Sequence, residues 1–402
     1  MASIYTGLTG LQANQTAIDV IANNVANLNT TAFKAGRVTF MDTLINTVSE
    51  ASGGKTNPQQ IGMGSEVASI DVMMLQGTQK LTSRPLDMAI LGDGFFLVNN
   101  GSRNYYTRDG AFQLNADNKL VMANNGMNVM GWMADPATGL VDTTKTPSDQ
   151  LSIPNGITYA VPTSKCVIGG NLDSATAVAT PQQLTFDIYD SLGSKHRINL
   201  SFSKTADNAW DWTATSPDST VGATSVGKVT FNASGQVIGS TGSIDLPLLA
   251  SNGASSMKAS LDLSAMTQLS GQSNVILSNQ DGMPQGGMTG FSADADGKIY
   301  GMFENGASRL IGQISVARFT NASGLSREGS NLWRTTPNSG TPTLLPANLA
   351  GSKIRSRYLE MSNVDLATEF ANMIVSQRSF QANSKSITTS DELMQELMQL
   401  KR

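Results

Sequence analysis

The sequence predicts an α+β multidomain protein in which N- and C-terminal helices pair as a coiled coil, joined to nested, mainly antiparallel β domains. Three observations carry the prediction. Apolar residues recur every seven positions at both ends of the chain, strand-like alternation punctuated by turn residues fills the middle, and 402 residues are too many for one compact core. Charged residues make up only 14% of the chain, well below the usual quarter, and Gly, Ser, Thr and Asn fill the spaces between apolar positions, as strands and tight turns require.

In the first element Ile4, Leu11, Ile18 and Val25 repeat every seven residues, with Leu8 and Ala22 on the neighbouring row. Gly7 and Gly10 interrupt it, each costing a helix roughly 1 kcal/mol relative to alanine, so this helix alone would fray. In the last element Leu366, Met373, Phe380, Ile387 and Met394 repeat at the same interval. The positions four further on are Phe370, Gln377, Ser384, Asp391 and Met398, apolar only at the extremes, so the stripe is thin. Ser362 reads as the N-cap with Asp365 as a capping-box acid, and Lys401 and Arg402 fall where the carbonyl end of a helix favours cations. A helix over 363–400 would extend about 57 Å at 1.5 Å per residue. Two thin, matched stripes predict ends that pair with each other and with copies from other chains. Spacing alone also allows an ordinary helical hairpin packed on the body.

Between the ends, "FFLVNNG", "YYTRDGAFQLNADNKLVMANNG" and "MNVMGW" alternate apolar and polar residues around Asn-Gly, Asp-Gly and Asn-Lys corners, which predicts hairpins. In "QLTFDIYDSLGSKHRINLSF", Leu184, Phe186 and Ile188 share one face and Ile198, Leu200 and Phe202 the face of a returning strand, joined by the "DSLGSK" corner. "NAWDWTATS" and "KVTFNASGQVIG" continue the meander, and "FSADADGKIYGMFENG" with "RLIGQISVARF" return to the style of the first group. "DPATGLVDTTKTPSDQ" and "SNQDGMPQGGM" read as linkers. The order is therefore nested. Residues 1–33 and 360–402 are expected as a terminal coiled-coil domain, 34–70 as a connecting segment, 71–144 with 285–359 as a core β domain, and 145–284 as an inserted β domain.

Other chemistries lack their parts. A net charge of −4 without a Lys or Arg cluster lacks the electrostatic footprint of nucleic-acid binding. The single cysteine, Cys166, forms no intramolecular disulfide and is expected as a buried, inert thiol. The start "MASIYTGLTGLQ" lacks the marks of a secretory signal, and no stretch reaches the roughly 18 apolar residues of a spanning helix, so a soluble chain without Sec-type export is expected. The single histidine, His196, is expected at a surface or strand edge; one histidine supplies neither a triad nor a multi-histidine metal site. "DADGK" at Asp294 to Lys298 has its glycine too early for a calcium loop and no Glu at the twelfth position, and reads as a hairpin corner. "GMGSEV" and "GDGFFL" lack the third glycine of a dinucleotide fingerprint, and no G-x-S-x-G or P-loop occurs. No catalytic, cofactor-binding or metal-binding residue is therefore assigned, and no cofactor is expected.

Two longer motifs carry a resemblance. "ANNVANLNTTAFKAGRVTF" (Ala22 to Phe40) resembles the N-terminal signature of the rod and hook axial proteins of the bacterial flagellum, and "SNVDLATEFANMIVSQRSFQAN" (Ser362 to Asn383) is similar to their C-terminal signature. The matching positions are Asn23, Asn24, Ala26, Asn27, Phe33 and Lys34 at the first end, and Asn363, Val364, Asp365, Gln377, Arg378, Gln381, Ala382 and Asn383 at the second. "RPLDMAILGDGFFLV" and "YYTRDGAFQLNADNKLV" look like the family's core β module. Ala32 stands where the family often has Gly, a departure that bears on the local turn. The segment 213–270 matches by position and composition, not by motif.

The inserted domain resembles that of the hook branch, whereas rod subunits carry little there. The resemblance implies a subunit of a curved hollow tube that couples rod to filament and transmits torque while bending. It implies assembly through Ile4, Leu8, Leu11, Ile18, Val25, Leu366, Phe370, Met373, Phe380, Ile387 and Met394 on the terminal helices. The implied partners are further copies of the chain, then flagellar rod, hook cap and hook-filament junction proteins. The implied place is the extracellular flagellum, reached by type III export, without membrane insertion. The rivals are a distal rod subunit, which a separately folding module over about 145–284 would disfavour, and an extracellular β-rich adhesin, which would need a ligand pocket and no heptad ends.

Overall fold

The computed structural model describes residues 2–49, 59–136, 138–147, 149–154, 156–219, 223–246, 254 and 257–400. The chain divides into two units, residues 1–153, 292–300 and 310–402 forming the first, and 154–291 and 301–309 the second.

In the first unit, helix α1 (Ala2–Ala26) leads into an antiparallel ribbon, Gly36–Asp42 against Ser65–Val72, extended by Ile45–Ser49 against Gln59–Gly62. The core β part centres on Phe95–Asn99, which pairs with Asn104–Thr107, Asn128–Met133 and Val316–Arg318. This strand is covered on both faces. Phe95 meets Phe319 and Trp333 edge-on, with centroids 5.7 and 6.4 Å away, while Phe96 meets Phe112 at 5.1 Å. Asn118 (φ +59°) and Gly126 (φ +70°) turn the two expected corners around Leu120–Met122. Asp109-Gly110 is not a hairpin corner. Asn104–Thr107 and Phe112–Leu114 each pair with other strands, so the chain crosses between them. Gly110 lies so close to Met88 that a Cβ would stand 1.7 Å from its carbonyl oxygen, and the Met88 amide donates to Gly110 O at 3.0 Å. "DADGK" is the expected corner: Asp294 Oδ1 accepts from the amides of Asp296 and Lys298, both at 2.9 Å, and Gly297 takes φ +78°.

Two short pairs, Met88–Leu91 with Lys353–Ser356 and Gln79–Leu81 with Tyr358–Glu360, return the chain to its last element, helix α2 (Leu366–Leu400). The helix starts later than Ser362, whose hydroxyl accepts from the Val364 amide at 3.3 Å. Asp365 is the N-cap: Oδ1 accepts from the Ala367 amide at 3.1 Å and Oδ2 from the Thr368 hydroxyl at 2.7 Å. These bonds hold its carboxyl below the usual range. Helix cannot begin at Ser362 because Asn363 is committed elsewhere, accepting from the Ala35 amide and donating to the carbonyls of Met73 and Leu75. Lys401 and Arg402 lie outside the described residues.

The second unit contains a five-stranded antiparallel meander, Pro181–Tyr189, Lys195–Ala206, Ala209–Thr215, Ser225–Phe231 and Val237–Thr241. It also contains a four-stranded sheet in the order Ser243–Leu246, Met257–Thr267, Lys165–Asn171, Asn274–Gln280, and the antiparallel pairing of Thr158–Val161 with Met283–Ala293. Much of the segment 213–270, unassigned by motif, forms these strands. Lys165–Asn171 and Met257–Thr267 run parallel, an exception to the antiparallel plan. The expected faces meet as read: Phe186, Ile188, Ile198, Leu200 and Phe202 join Trp210 and Trp212 in one core, with Leu184 against its edge. The "SNQDGMPQGGM" linker is instead two strands turned at Asp281-Gly282. Asp281 Oδ1 accepts from the amides of Ser164 and Lys165 at 2.8 and 2.9 Å, satisfying backbone groups that would otherwise keep this stretch solvated.

Cys166 is fully buried, and burial, then nearby Asp281, pushes its thiol up to about 12, which makes it inert at neutral pH. His196 is not at a surface or an edge. Its strand lies inside the meander, and the ring sits between Asp190 (Nε2 to Oδ2, 3.0 Å) and Asp218 (Nδ1 to Oδ2, 3.1 Å) because the Asp190 turn folds back over it. Burial opposes ionisation of Asp190, but hydrogen bonds from His196 and the amides of Ser194 and Leu192 outweigh it and hold the carboxyl low. Asp281 is held low against burial by Ser164 and Lys165 in the same way. Ser264 and Lys165 lower Asp262 to about 2.

Each of these carboxyls is depressed in the folded chain, so its stabilisation is present above the ordinary Asp range and is lost as pH falls through the folded value. The second unit is therefore expected to weaken progressively from about pH 4 to about pH 2. With Trp132 and Trp333 replaced by Phe, urea unfolding followed by Trp210 and Trp212 fluorescence should show a falling midpoint over that interval. A constant midpoint would contradict it.

Candidate assembly site

The two helices pair, and three contacts set the register. A Cβ on Gly7 would stand 2.8 Å from Ile387 Cγ1, one on Gly10 would stand 2.6 Å from Asn383 Nδ2, and Asn24 Nδ2 donates to Glu369 Oε1 at 3.1 Å. Later positions on α1 meet earlier positions on α2, so the helices are antiparallel. The buried line of α1 is Gly7, Gly10, Ala13, Ala17, Ile21 and Asn24, spaced three and four apart. The facing, half-buried line of α2 is Met373, Ser376, Phe380, Asn383 and Ile387. Small side chains on one helix thus receive larger ones from the other.

This differs from the seam expected on α1. Ile4, Leu11, Ile18 and Val25 are half-buried flanks of the contact, and Leu8 is 46% exposed. On α2, Met373, Phe380 and Ile387 face the partner helix, whereas Leu366, Phe370 and Met394 are 37%, 48% and 41% exposed. The physical reason is distance of approach: a helix lined by Gly and Ala admits its partner's side chains close to its backbone, and bulky residues are displaced to the sides. Gly7 and Gly10 are thus the points of closest approach. Bulk-weighted periodicity missed this stripe; recurrence of small residues at three and four was the available signal.

The signature motifs meet at the root of the pair. Asn24 is buried, accepts from the Gly36 amide at 2.9 Å and donates to Gly36 O at 2.8 Å, fixing the turn after α1. Ala32 adopts φ +57°, the left-handed conformation that Gly takes freely, and its amide donates to Glu360 O at 2.8 Å. Asn27 donates to Asn23 O at 2.9 Å and accepts from Thr30 Oγ1 at 3.1 Å. Phe33, Ala35 and Val364 form a small apolar cluster with Leu28 and Met73. Asn23, Ala26, Gln377, Arg378, Gln381 and Ala382 are exposed, with Arg378 donating to Gln381 at 3.4 Å.

Lys34 is 1% exposed and donates to Glu360 Oε1 at 2.5 Å and Leu75 O at 2.7 Å. Glu360 also accepts from the Gly77 amide at 3.0 Å and from Arg108 at 3.4 Å. Burial lowers the Lys34 pKa, and Glu360 opposes that shift. Arg327 donates to the Lys34 carbonyl and lies over the rings of Phe33 (5.2 Å) and Trp333 (5.3 Å). Glu360, Arg108, Arg327 and Gly77 escaped sequence reading because no local pattern distinguishes them; they converge only through the returning strands.

Much apolar surface of this unit stays uncovered. Ile374, Val375, Leu393, Leu397 and Met398 on α2, and Phe40, Leu44, Ile45 and Ile70 on the ribbon, are all at least half exposed. A groove of about 630 Å³ opens between α1, the ribbon and the start of α2, lined by Ile21, Val38, Phe40, Met73, Glu369 and Val375 among others. Burial pushes the Glu369 carboxyl up, Asn24 opposes this and Asp365 adds to it. Among the described residues no cluster of His, Cys, Asp or Glu is arranged to hold a metal ion.

Four family models match the chain. "Flagella basal body rod protein" covers residues 4–34, "Flagellar hook protein FlgE/F/G D1 domain" 89–165, "Flagellar basal body protein FlaE D2 domain" 160–283, and "Flagellar basal body rod FlgEFG protein C-terminal" 355–400. The chain is 36% identical to the flagellar hook protein FlgE of Borreliella burgdorferi over the full length of both. It is 34% identical to that of Salmonella typhimurium, with 99% of this chain and 100% of the relative covered. Its fold is similar to the crystal structure of Helicobacter pylori flagellar hook protein FlgE2, with TM-score 0.50 and 18% identity, covering 70% of this chain and 100% of that one.

Proposed function

The chain belongs to the flagellar hook protein family, and from this we propose how it serves as a structural subunit of the bacterial flagellar hook: by polymerising through its paired ends into a curved hollow tube. The observation that carries the reading is the α1–α2 pair, joined along one narrow line while Ile374, Val375, Leu397 and Met398 remain exposed. Each such side chain, once fully buried by a neighbouring copy, contributes roughly 1.5–3 kcal/mol, which repetition around a tube multiplies. Residues 1–33 and 360–402 line the tube, 34–70 connect, 71–144 with 285–359 form the shell around them, and 145–284 makes the contacts that change as the tube bends. Ile4, Leu11, Ile18 and Val25, as flanks of the pair, meet neighbouring copies.

Rotation of a bent tube lengthens and shortens each row of subunits every turn, so some contacts must slide while torque passes from rod to filament. The second unit is suited to sliding. Several of its exposed charges are paired within the unit, as in Lys195–Asp187 (2.7 Å), Lys165–Asp262 (3.0 Å) and Lys258–Asp245 (3.5 Å). Its Ser-, Thr- and Asn-rich surface exchanges hydrogen bonds with water at little net cost. The partners beyond the chain itself are rod, cap and hook-filament junction proteins, and export follows the flagellar type III route without a cleaved signal.

Val161 and Met283 are register partners in an antiparallel pair, so residues 162–282 can be replaced by a two-residue turn without opening that ladder. The shortened chain is expected to polymerise into tubes of altered curvature, seen by electron microscopy. Loss of every tube would refute the division of labour between the two parts.

A further inference from the structure

The register of the helix pair leaves an overhang. With Gly7 against Ile387, the first residues of α1 reach only to about position 391 of α2, and residues 391–399 are exposed all round. On that stub Leu393, Met394, Leu397 and Met398 are spaced one, four and five apart and so share one side of the helix, at 56%, 41%, 62% and 73% exposure. At the other end of the same pair lies the groove of about 630 Å³ lined by Val20, Ile21, Val38, Phe40, Met73 and Val375, in which Phe40 and Val375 are 50% and 65% exposed. The two unsatisfied surfaces sit about 35 Å apart along α2, judged from the rise per residue.

We propose that the apolar stub of one copy seats in the root groove of the next, making a directional, head-to-tail contact between second copies of this chain. The inference rests on the hook-subunit reading and names the surfaces it uses. Two observations select a second copy over another occupant. The groove and the stub are different surfaces at opposite ends of one rigid helix pair, the arrangement that produces an open polymer instead of a closed dimer. The groove also adjoins the α1–α2 contact, so a seated stub continues an interface the chain already makes with itself.

The test uses Val375→Cys with Leu397→Cys in a Cys166→Ser background. Within one copy these positions lie 22 residues apart on one helix, too far to bridge, so any disulfide joins two copies. Under conditions in which the parent forms tubes, oxidation is expected to give a ladder of covalent oligomers, whereas each single-cysteine variant gives none. Tubes that form without a ladder overturn the contact and leave the hook reading intact; a parent that never forms tubes overturns both. Leu397→Asp is expected to raise the critical concentration about tenfold or more, the scale of losing one buried leucine from an interface. An unchanged value, with second-unit fluorescence also unchanged, overturns the contact independently of the cysteines.

Discussion

Replacing Glu360 by alanine is expected to cost about 3–5 kcal/mol, because it removes the shared anion from two buried cations and leaves both unpaired. The side chains of Glu360, Lys34 and Arg108 are 0%, 1% and 4% exposed, so water cannot take over the lost role. The amide of Gly77 loses its acceptor as well. The deficit should shrink as pH rises toward 10. Lys34 is already pushed down by burial, and without Glu360 it falls further below its unfolded value, so the folded chain then binds fewer protons than the unfolded one and stability climbs with pH. Lys34→Met with Glu360→Gln should recover part of the loss, since one cation then remains, with an acceptor beside it. Urea unfolding followed by Trp333, which sits under Arg327 at this junction, measures the effect. A loss below about 1 kcal/mol would mean that the cluster does not hold the junction.

The Gly7→Leu, Gly10→Leu double variant separates intrinsic helix preference from packing. Propensity favours it by roughly 1 kcal/mol at each site, so the helicity of an isolated N-terminal segment should rise. Packing opposes it, since atoms of Ile387 and Asn383 already occupy the space within 3 Å of each new Cβ. Overpacking at about 1–3 kcal/mol per site gives roughly 2–6 kcal/mol for the two, at least about thirtyfold in the assembly constant. Sedimentation of polymer against circular dichroism of the isolated N-terminal segment reads both signs. Tubes growing at the parental rate would place the close approach elsewhere.

The heptad reading found the two helices and which faces of α2 turn inward at Met373, Phe380 and Ile387, because a long apolar side chain announces its face by period alone. It displaced the seam on α1, because period-counting weights bulk and the closest contact is made by residues with almost none. Strand pairings within the meander were legible from local alternation. The Asp109-Gly110 corner and the 278–288 linker were misread, because a Gly that permits a turn equally permits close approach by a distant backbone, such as that of Met88.

What the sequence by itself determined was the helical ends and the strand faces of the meander, which follow from spacing along the chain, and the resemblance to the flagellar axial proteins, which rests on the two terminal motifs. What only the tertiary structure decided was the antiparallel register of α1 on α2, the start of α2 at Asp365, the burial of His196 between Asp190 and Asp218, and the anchoring of Lys34 by Glu360. Those depend on groups as far apart in the chain as Gly7 and Ile387 meeting in the folded state. No local pattern encodes such a meeting; it is fixed by where excluded volume and the pairing of buried polar groups leave room.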